Sequence, residues 1–457
     1  MGFEARLKRR YTMLVAAHSQ GLPELAAGMK ALPDTATSFS HTQALWRFLH
    51  NDEVTPARLA EPLLAAARSG IAESCERYAL IAHDWSRLNY NRHRAKPDRL
   101  QMTHQTDLGY ELQSSLVIGD HLGDPICPVA QNLVTADKVL STYRPEHKPP
   151  AGIAADPDAH PDPALCDEAK KTSCALEAES HLDELSTRMG WLEAQALGRP
   201  LVHIVDREAD SVAHLRQWTA AGQCWLIRAK AGSTVRAGEH NRRLDAVAEG
   251  LDYQAVRAVE HQGKTCRQWV AQTTVVLARP ARSTRKDAQG RRVKAQPGAP
   301  IQARLVVSRI LNEAGQCVAT WYLLCNLPNS VEAATVALWY YFRWRIESFF
   351  KLLKQGGQQL EQWEQESGPA IFKRLLIASQ ACSLTWRILR ARGTFAEQAQ
   401  RFLVRLSGRQ TKRARPVTAP AVLAGLHVLF SIIEVLEHQS LDDLKAYARF
   451  AFPERYQ

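Results

Sequence analysis

The sequence predicts an α/β protein: a mixed β-sheet with a β-rich insertion, flanked by N-terminal and C-terminal helical regions. Three observations lead there. Short apolar runs of strand type stand at 78–83, 110–118, 125–133, 201–205 and 224–228, and helical periodicity separates the later ones. Residues 230–326 carry several further β-type runs, whereas residues 1–75 and those after 366 space their apolar positions as helices do.

With 457 residues the chain has room for two or three domains. Hydrophobic residues at 45% and charged residues at 23% are ordinary for a soluble globular protein. The formal net charge of +11 favours a polyanionic partner, nucleic acid first. Nine scattered cysteines, odd in number and without a C-x-x-C pair, argue against a zinc module or a disulfide framework. The basic N-terminus is not followed by an apolar run of signal type, and the apolar segment 417–433 is broken by Pro420 and His427 and reads as too short to span a bilayer. A cytoplasmic protein with no membrane partner is the expectation.

In chain order, Leu14, Leu22, Leu25, Leu45, Phe48, Leu49, Leu59, Leu63 and Leu64 mark the first helices, with cap or turn chemistry at 38–41 and 51–53. Arg6, Lys8, Arg9 and Arg10 form a cationic cluster that suits DNA phosphates or simply a solvated helix end. The strand 78–83 places Asp84 at its end, and 110–118 with 125–133 continue an antiparallel meander through turns containing Asp120 and Asp124. Residues 143–162 read as irregular. A helix over 177–196 precedes the strand 201–205, which is closed by Asp206-Arg207-Glu208-Ala209-Asp210, and a helix at 211–220 leads to the strand 224–228.

Within 230–326 the β-type runs are 253–259, 269–277, 303–310 and 320–324. Between two of them Arg279, Arg282, Arg285, Lys286, Arg291, Arg292 and Lys294 are opposed only by Asp287, which predicts a basic hairpin tip. Residues 339–355 contain no Gly or Pro, follow cap chemistry at Asn329 and Ser330, and stop at Gly356 and Gly357, so one continuous helix is expected. Helices at 370–392 and 420–436, separated by a basic loop at 409–415, complete the chain.

On such a helix Tyr340, Arg343, Glu347 and Lys354 fall within about 60° of one another, and Lys351 joins the stripe. The plain explanation is a solvated charged face. The alternative is a phosphate held by the cations beside a metal held by the carboxylate. Asp84, Asp206 and Glu347 are carboxylates on three elements, as a site with two ions about 3.5–4 Å apart requires.

Tyr340-x-x-Arg343-x-x-x-Glu347-x-x-x-x-x-x-Lys354 resembles the YREK signature of bacterial DDE transposases of insertion-sequence family four. The core Arg343-Trp344-Arg345-Ile346-Glu347 and the pentapeptide from Asp206 to Asp210 are similar to motifs of the same family, and the likeness covers roughly residues 78–390. It implies a ribonuclease-H-like catalytic domain at 76–365 with its β insertion at about 230–326, a DNA-binding region at 1–75, and a C-terminal helical region at 366–457 suited to dimerisation. Asp84, Asp206 and Glu347 would be the catalytic metal ligands, for two Mg2+ with Mn2+ as a substitute; Trp85 and Ser86 depart from the usual neighbours of the first carboxylate, and Asp120 or Asp124 is its competitor.

The same resemblance implies that Arg228 and Lys230 contact transposon-end phosphates and that Tyr340, Arg343 and Lys354 clamp phosphates, with Lys351 alongside. Trp321 would stack on a flipped base, or else is a core aromatic in a strand. Glu208 and Asp210 would be structural. The implied activity is cleavage at inverted terminal repeats and strand transfer into target DNA by a homodimer in the bacterial cytoplasm. The first alternative is a transposase-derived DNA-binding protein without catalysis. A nucleotide-driven motor is the second, because Gly263-Lys264-Thr265 resembles the end of a phosphate loop, although Ala258 stands where its first glycine belongs.

Overall fold

The computed structural model describes residues 3–19, 43–102, 106–145, 180–281, 295, 297–408 and 417–451. The caps expected at 38–41, most of the irregular stretch at 143–162, the basic tip at 282–294 and the basic loop at 409–415 lie outside them. The chain divides into two compact units, one formed by Met1–Leu63 with Phe349–Gln457 and the other by Leu64–Ser348.

The second unit is built on a sheet that has thirteen strands among the described residues. They are β1 (Ala79–Asn89), β2 (Leu100–Gln101), β3 (Leu108–Gly119), β4 (Pro125–Val134), β5 (Val139–Ser141), β6 (Leu201–Val205), β7 (Cys224–Ala229), β8 (Thr234–Ala237), β9 (His240–Arg243), β10 (Gln254–His261), β11 (Lys264–Leu277), β12 (Ile301–Leu311) and β13 (Cys317–Cys325). Their order is β5-β4-β3-β1-β6-β7-β13-β12-β11-β8-β9, with β10 on β11 and β2 on β3. Only β1 with β6 and β6 with β7 pair in parallel. The sheet is therefore mixed, and through the β7–β13 pairing the β insertion continues the central sheet rather than standing apart from it.

The parallel centre follows from its connections. A helix at His181–Ala194 opens on a reciprocal cap, with the Ser180 hydroxyl accepting from the Asp183 amide and the Asp183 carboxylate accepting from the Ser180 amide. The helix Val212–Ala220 carries the chain across from β6 to β7. Leu185, Met189, Leu215 and Trp218 from these helices pack on Val205, Trp225 and Ile227, so β6 reads as five consecutive buried residues.

Three expectations are corrected here. The first strand does not end at His83: β1 runs on to Asn89 because β3 pairs with it along its whole length, from Ala79 opposite Gly119 to Asn89 opposite Gly109, and Asp84 lies in its middle. Backbone pairing carried the strand past the point where the apolar run stops. Secondly, 339–355 is not one helix. Ala333–Phe342 ends at Arg343, Arg345–Lys351 begins a second helix, and Leu352–Gly356 forms a π-helical turn; the first helix starts after Glu332 rather than at Asn329 or Ser330.

Tertiary bonds accompany that break. The Trp339 indole donates to the Asp120 carbonyl at 2.8 Å, Arg345 Nε donates to the Gly123 carbonyl at 2.9 Å, and the Phe342 ring fills the space where a Cβ on Gly123 would sit. Gly123 itself needs a positive φ of 67°. Gly263, with Gln262, forms the hairpin turn between β10 and β11, so the phosphate-loop geometry is absent there.

In the first unit, Ala5–Ser19 packs its His18 on Gln358, with Nδ1 to Oε1 at 2.7 Å. Gly368–Arg390 is the central helix, and the buried Arg374 lies 4.3 Å from the Trp363 ring centre. Two helices that the sequence pattern did not reveal, Thr394–Leu406 and Leu441–Ala451, flank the third corrected element, Ala419–His438. Pro420 sits in its first turn, where the missing N–H costs nothing, so the helix runs for 20 residues. It is the one described helix long and apolar enough to cross a membrane by length and composition, and its first half is buried through Val422 and Leu423.

Asp120 is accounted for by the fold. Its carboxylate accepts from the backbone amides of Glu76, Arg77 and Tyr78 at 2.8–2.9 Å and so fixes the entry to β1. Asp120→Ala is expected to lower unfolding stability by about 2–3 kcal/mol, since three amides lose a charged acceptor; denaturant titration of the variant against the wild type checks this.

Candidate functional site

Strand register places the first two carboxylates. β1 and β6 pair in parallel from Ala79 with Leu201 to Ala82 with Ile204. Two residues past the last pair, Asp84 lies within β1 and Asp206 just beyond the end of β6, near enough that the charge of Asp206 acts on Asp84. Asp206 also caps the short 3-10 turn Arg207–Ala209, its Oδ1 accepting from the Glu208 amide at 2.9 Å.

The break after Phe342 places the third. Arg343 Nη1 donates to Asp84 Oδ2 at 2.9 Å, and Nη2 donates to Glu347 Oε1 at 3.0 Å. The guanidinium is 9% exposed, against 21% for Asp84 and 42% for Glu347, so it spans two partly buried carboxylates of which Glu347 is the more open. Burial pushes the Asp84 carboxyl up to about 6, with Arg343 pulling the other way and Asp206 adding to the rise. For Arg343, burial would lower the pKa, but Tyr340, Asp84, Glu347 and Asp206 together raise it.

Tyr340 is 2% exposed, with its ring centre 5.9 Å from the Arg343 guanidinium carbon and 5.8 Å from the Trp321 ring in an edge-on contact. Burial raises its phenol, and Arg343 and Arg228 oppose that rise. Trp321 is thus a largely buried strand residue that completes the wall behind Tyr340. Lys230 is exposed beyond β7, with its amide bonded to Asp210. Asp210 is buried and also accepts from Ser233 and Arg279, which ties the acidic pentapeptide to the following turn. Glu347 and Lys351 share the short helix Arg345–Lys351, whereas Tyr340 lies on the preceding helix and Lys354 in the π-helical turn, where it pairs with Glu361 at 3.5 Å. The charged stripe expected on one helix is thus divided over three elements.

Sequence reasoning passed over several polar residues around these carboxylates. His181 sits 3.0 Å from Glu111 and 3.5 Å from Glu208, with its ring centre 4.4 Å from that of Trp85 in a tilted contact. Burial would raise Glu111, but hydrogen bonds from His181 and Gln113 hold it below the usual carboxylate range. His83, which follows the opposite parity to Asp84, bonds the Ser115 hydroxyl at 2.8 Å and His203 at 2.9 Å; burial keeps both imidazoles neutral by lowering their values. Both histidines stand inside apolar strand runs, and that placement was the available signal.

Three carboxylates of oxygen-donor type fit a hard divalent cation in chemistry. Among the described residues no three His, Cys, Asp or Glu side chains are gathered closely enough to chelate one; the cation between Asp84 and Glu347 is Arg343.

The unit is a mixed-sheet α/β structure with Asp84 on β1, Asp206 just after β6 and Glu347 on a later helix. Residues 183–385 match the family model described as the transposase DDE domain, a segment that includes Asp206 and Glu347 and leaves Asp84 before it. This match supports transposase function. No curated protein matches the chain. A cryo-EM structure of a piggyBac transposase synaptic complex with hairpin DNA is similar over 96% of this chain and 75% of that one, at 9% identity and a TM-score of 0.33, too loose a likeness to carry fold or function.

Because the folded-state value for Asp84 lies above that of an unfolded aspartate, its contribution to stability is fully present below about pH 4 and is lost as pH rises through about 6. Asp84→Asn, which mimics the neutral acid, is expected to be more stable than the wild type by about 2–3 kcal/mol at pH 8. The gap closes toward pH 4. Urea unfolding at a series of pH values measures it, and the opposite trend would refute a desolvated Asp84.

Proposed function

We propose that the chain is a DNA transposase of the insertion-sequence family-four type, cleaving transposon ends and transferring the released strands into target DNA. The observation that supports this reading is the approach of Asp84 to Asp206 beside β6 and to Glu347 through Arg343, with Asp206 and Glu347 inside the segment 183–385 that matches the transposase DDE domain and Asp84 before it. The proposal includes a ribonuclease-H-like catalytic domain at 76–365, a DNA-binding region at 1–75 and a dimerising region at 366–457. It also includes a cytoplasmic location and a homodimer that pairs the two inverted terminal repeats.

Asp84, Asp206 and Glu347 are assigned as ligands of two Mg2+, which Mn2+ can replace and which when bound would activate the attacking oxygen and neutralise the leaving one. The chain's own residues orient the DNA. Arg343 is assigned to balance Asp84 and Glu347 through its two Nη groups, and a phosphate entering beside them would compete for the same guanidinium. Tyr340 and Trp321 form the apolar wall beneath that guanidinium, and Trp321 is the candidate for contact with an unpaired base. Arg228, Lys230, Lys351 and Lys354 are assigned to backbone phosphates.

Glu347→Gln keeps the hydrogen bond from Arg343 while removing a charged ligand. It is expected to lower Mg2+-dependent cleavage of a duplex carrying the element's own ends by at least about 1000-fold, with DNA affinity unchanged within about twofold. Cleavage at the wild-type rate would remove Glu347 from the ligand set.

A further inference from the structure

The loop that follows β1 devotes three buried charges to holding its own shape. Lys96, Asp98 and Arg99 are 2%, 6% and 2% exposed. Arg99 donates from Nε to the Lys96 carbonyl at 2.8 Å and from Nη1 to the Tyr90 carbonyl at 3.0 Å. The Tyr110 hydroxyl donates to Asp98 at 2.6 Å, and Lys96 Nζ lies 5.1 Å from the Tyr90 ring centre. Backbone bonds from His93 to Tyr90, Lys96 to His93 and Ala136 to Asp98 close the loop. Charged side chains are seldom buried in a surface loop unless its conformation matters, because each must be desolvated and then fully compensated.

What this scaffold displays is a pair of guanidinium groups. Arg92 and Arg94 are both exposed, and neither makes an ion pair or side-chain hydrogen bond with a described residue. The neighbouring Arg87, by contrast, pairs with Asp107 at 3.6 Å. Two rigidly presented arginines without local anions, on a chain of net charge +11, are complementary to a polyanion. The loop continues the strand that carries Asp84. Arg92 stands eight positions beyond Asp84, a reach of at most about 28 Å, which is about eight base pairs of duplex.

We propose that loop 90–99 is a docking surface for the DNA backbone, with Arg92 and Arg94 each neutralising one phosphate of duplex DNA outside the carboxylate site. This rests on the transposase reading for the choice of DNA as the polyanion. The contact is with phosphates alone, so it sets affinity and salt dependence and reads no sequence.

The test is binding of the full-length chain, without divalent ions, to a fluorescent duplex of about 40 base pairs over a range of salt concentrations. Arg92→Ala with Arg94→Ala is expected to reduce the slope of log affinity against log salt by about 1.8, the equivalent of two phosphate contacts. Arg92→Lys with Arg94→Lys is expected to keep the wild-type slope, because the charge is retained. An unchanged slope in the alanine variant would overturn the proposal, as would equal loss in the lysine variant, which would mean that the loop and not its charge had been disturbed. An unchanged slope together with a cleavage-dead Glu347→Gln would refute the loop contact alone. A reduced slope together with a cleaving Glu347→Gln would leave the loop contact standing and refute the catalytic assignment.

Discussion

Carboxylates brought together from separate elements repel one another and lose hydration, and in this chain the Arg343 guanidinium stands between two of them. Its bonds to Asp84 and Glu347 join a strand buried in the sheet to a helix that comes some 260 residues later in the sequence, as a single planar fork can. Without that cation Asp84 would face Asp206 across neighbouring strands with burial already opposing its charge. The position of the fork depends in turn on the end of the helix at Phe342, and on Trp339 and Arg345 holding the β3–β4 turn from either side of the break. A guanidinium so placed balances the two carboxylates through its paired Nη groups.

The acidic pentapeptide is similarly divided in its work. Asp206 begins the turn and faces Asp84, Glu208 meets His181, and Asp210 is buried under Ser233 and Arg279. One short run of sequence thus supplies a site carboxylate and the bonds that hold it in place. His181 couples it through Glu208 to Glu111 on β3 and packs its ring at a tilt against Trp85, so β3 and the turn after β6 are tied together around β1.

Much of this was legible from the residues. The strand 201–205 was read at its true limits because β6 is buried on both faces and shows an unbroken apolar run between a Gly-Arg-Pro stop and an acidic turn. The end of β1 was not, because the pairing that extends it lies in β3, which apolar patterning at 78–83 does not report. The helix at 339–355 failed for the converse reason: every residue favours helix locally, and the break is set by side chains that bond a turn more than two hundred residues earlier. Pro420 and His427 made the segment 417–433 read as broken, yet Pro420 stands in the first turn, where a missing N–H costs nothing, and the helix Ala419–His438 runs on past His427. The networks of His181 with Glu111 and of His83 with His203 join residues with no common motif, so no spacing rule could have found them.

The central claim is that Asp84, Asp206 and Glu347 share one site for a divalent cation. Affinity cleavage tests it most directly: Fe2+ replaces Mg2+, ascorbate and peroxide generate radicals at the bound ion, and the polypeptide is cut where it lies nearest. The account predicts cuts close to residues 84, 206 and 347, all suppressed by excess Mg2+. Cuts confined to one of these segments, or cuts that Mg2+ does not suppress, would contradict it.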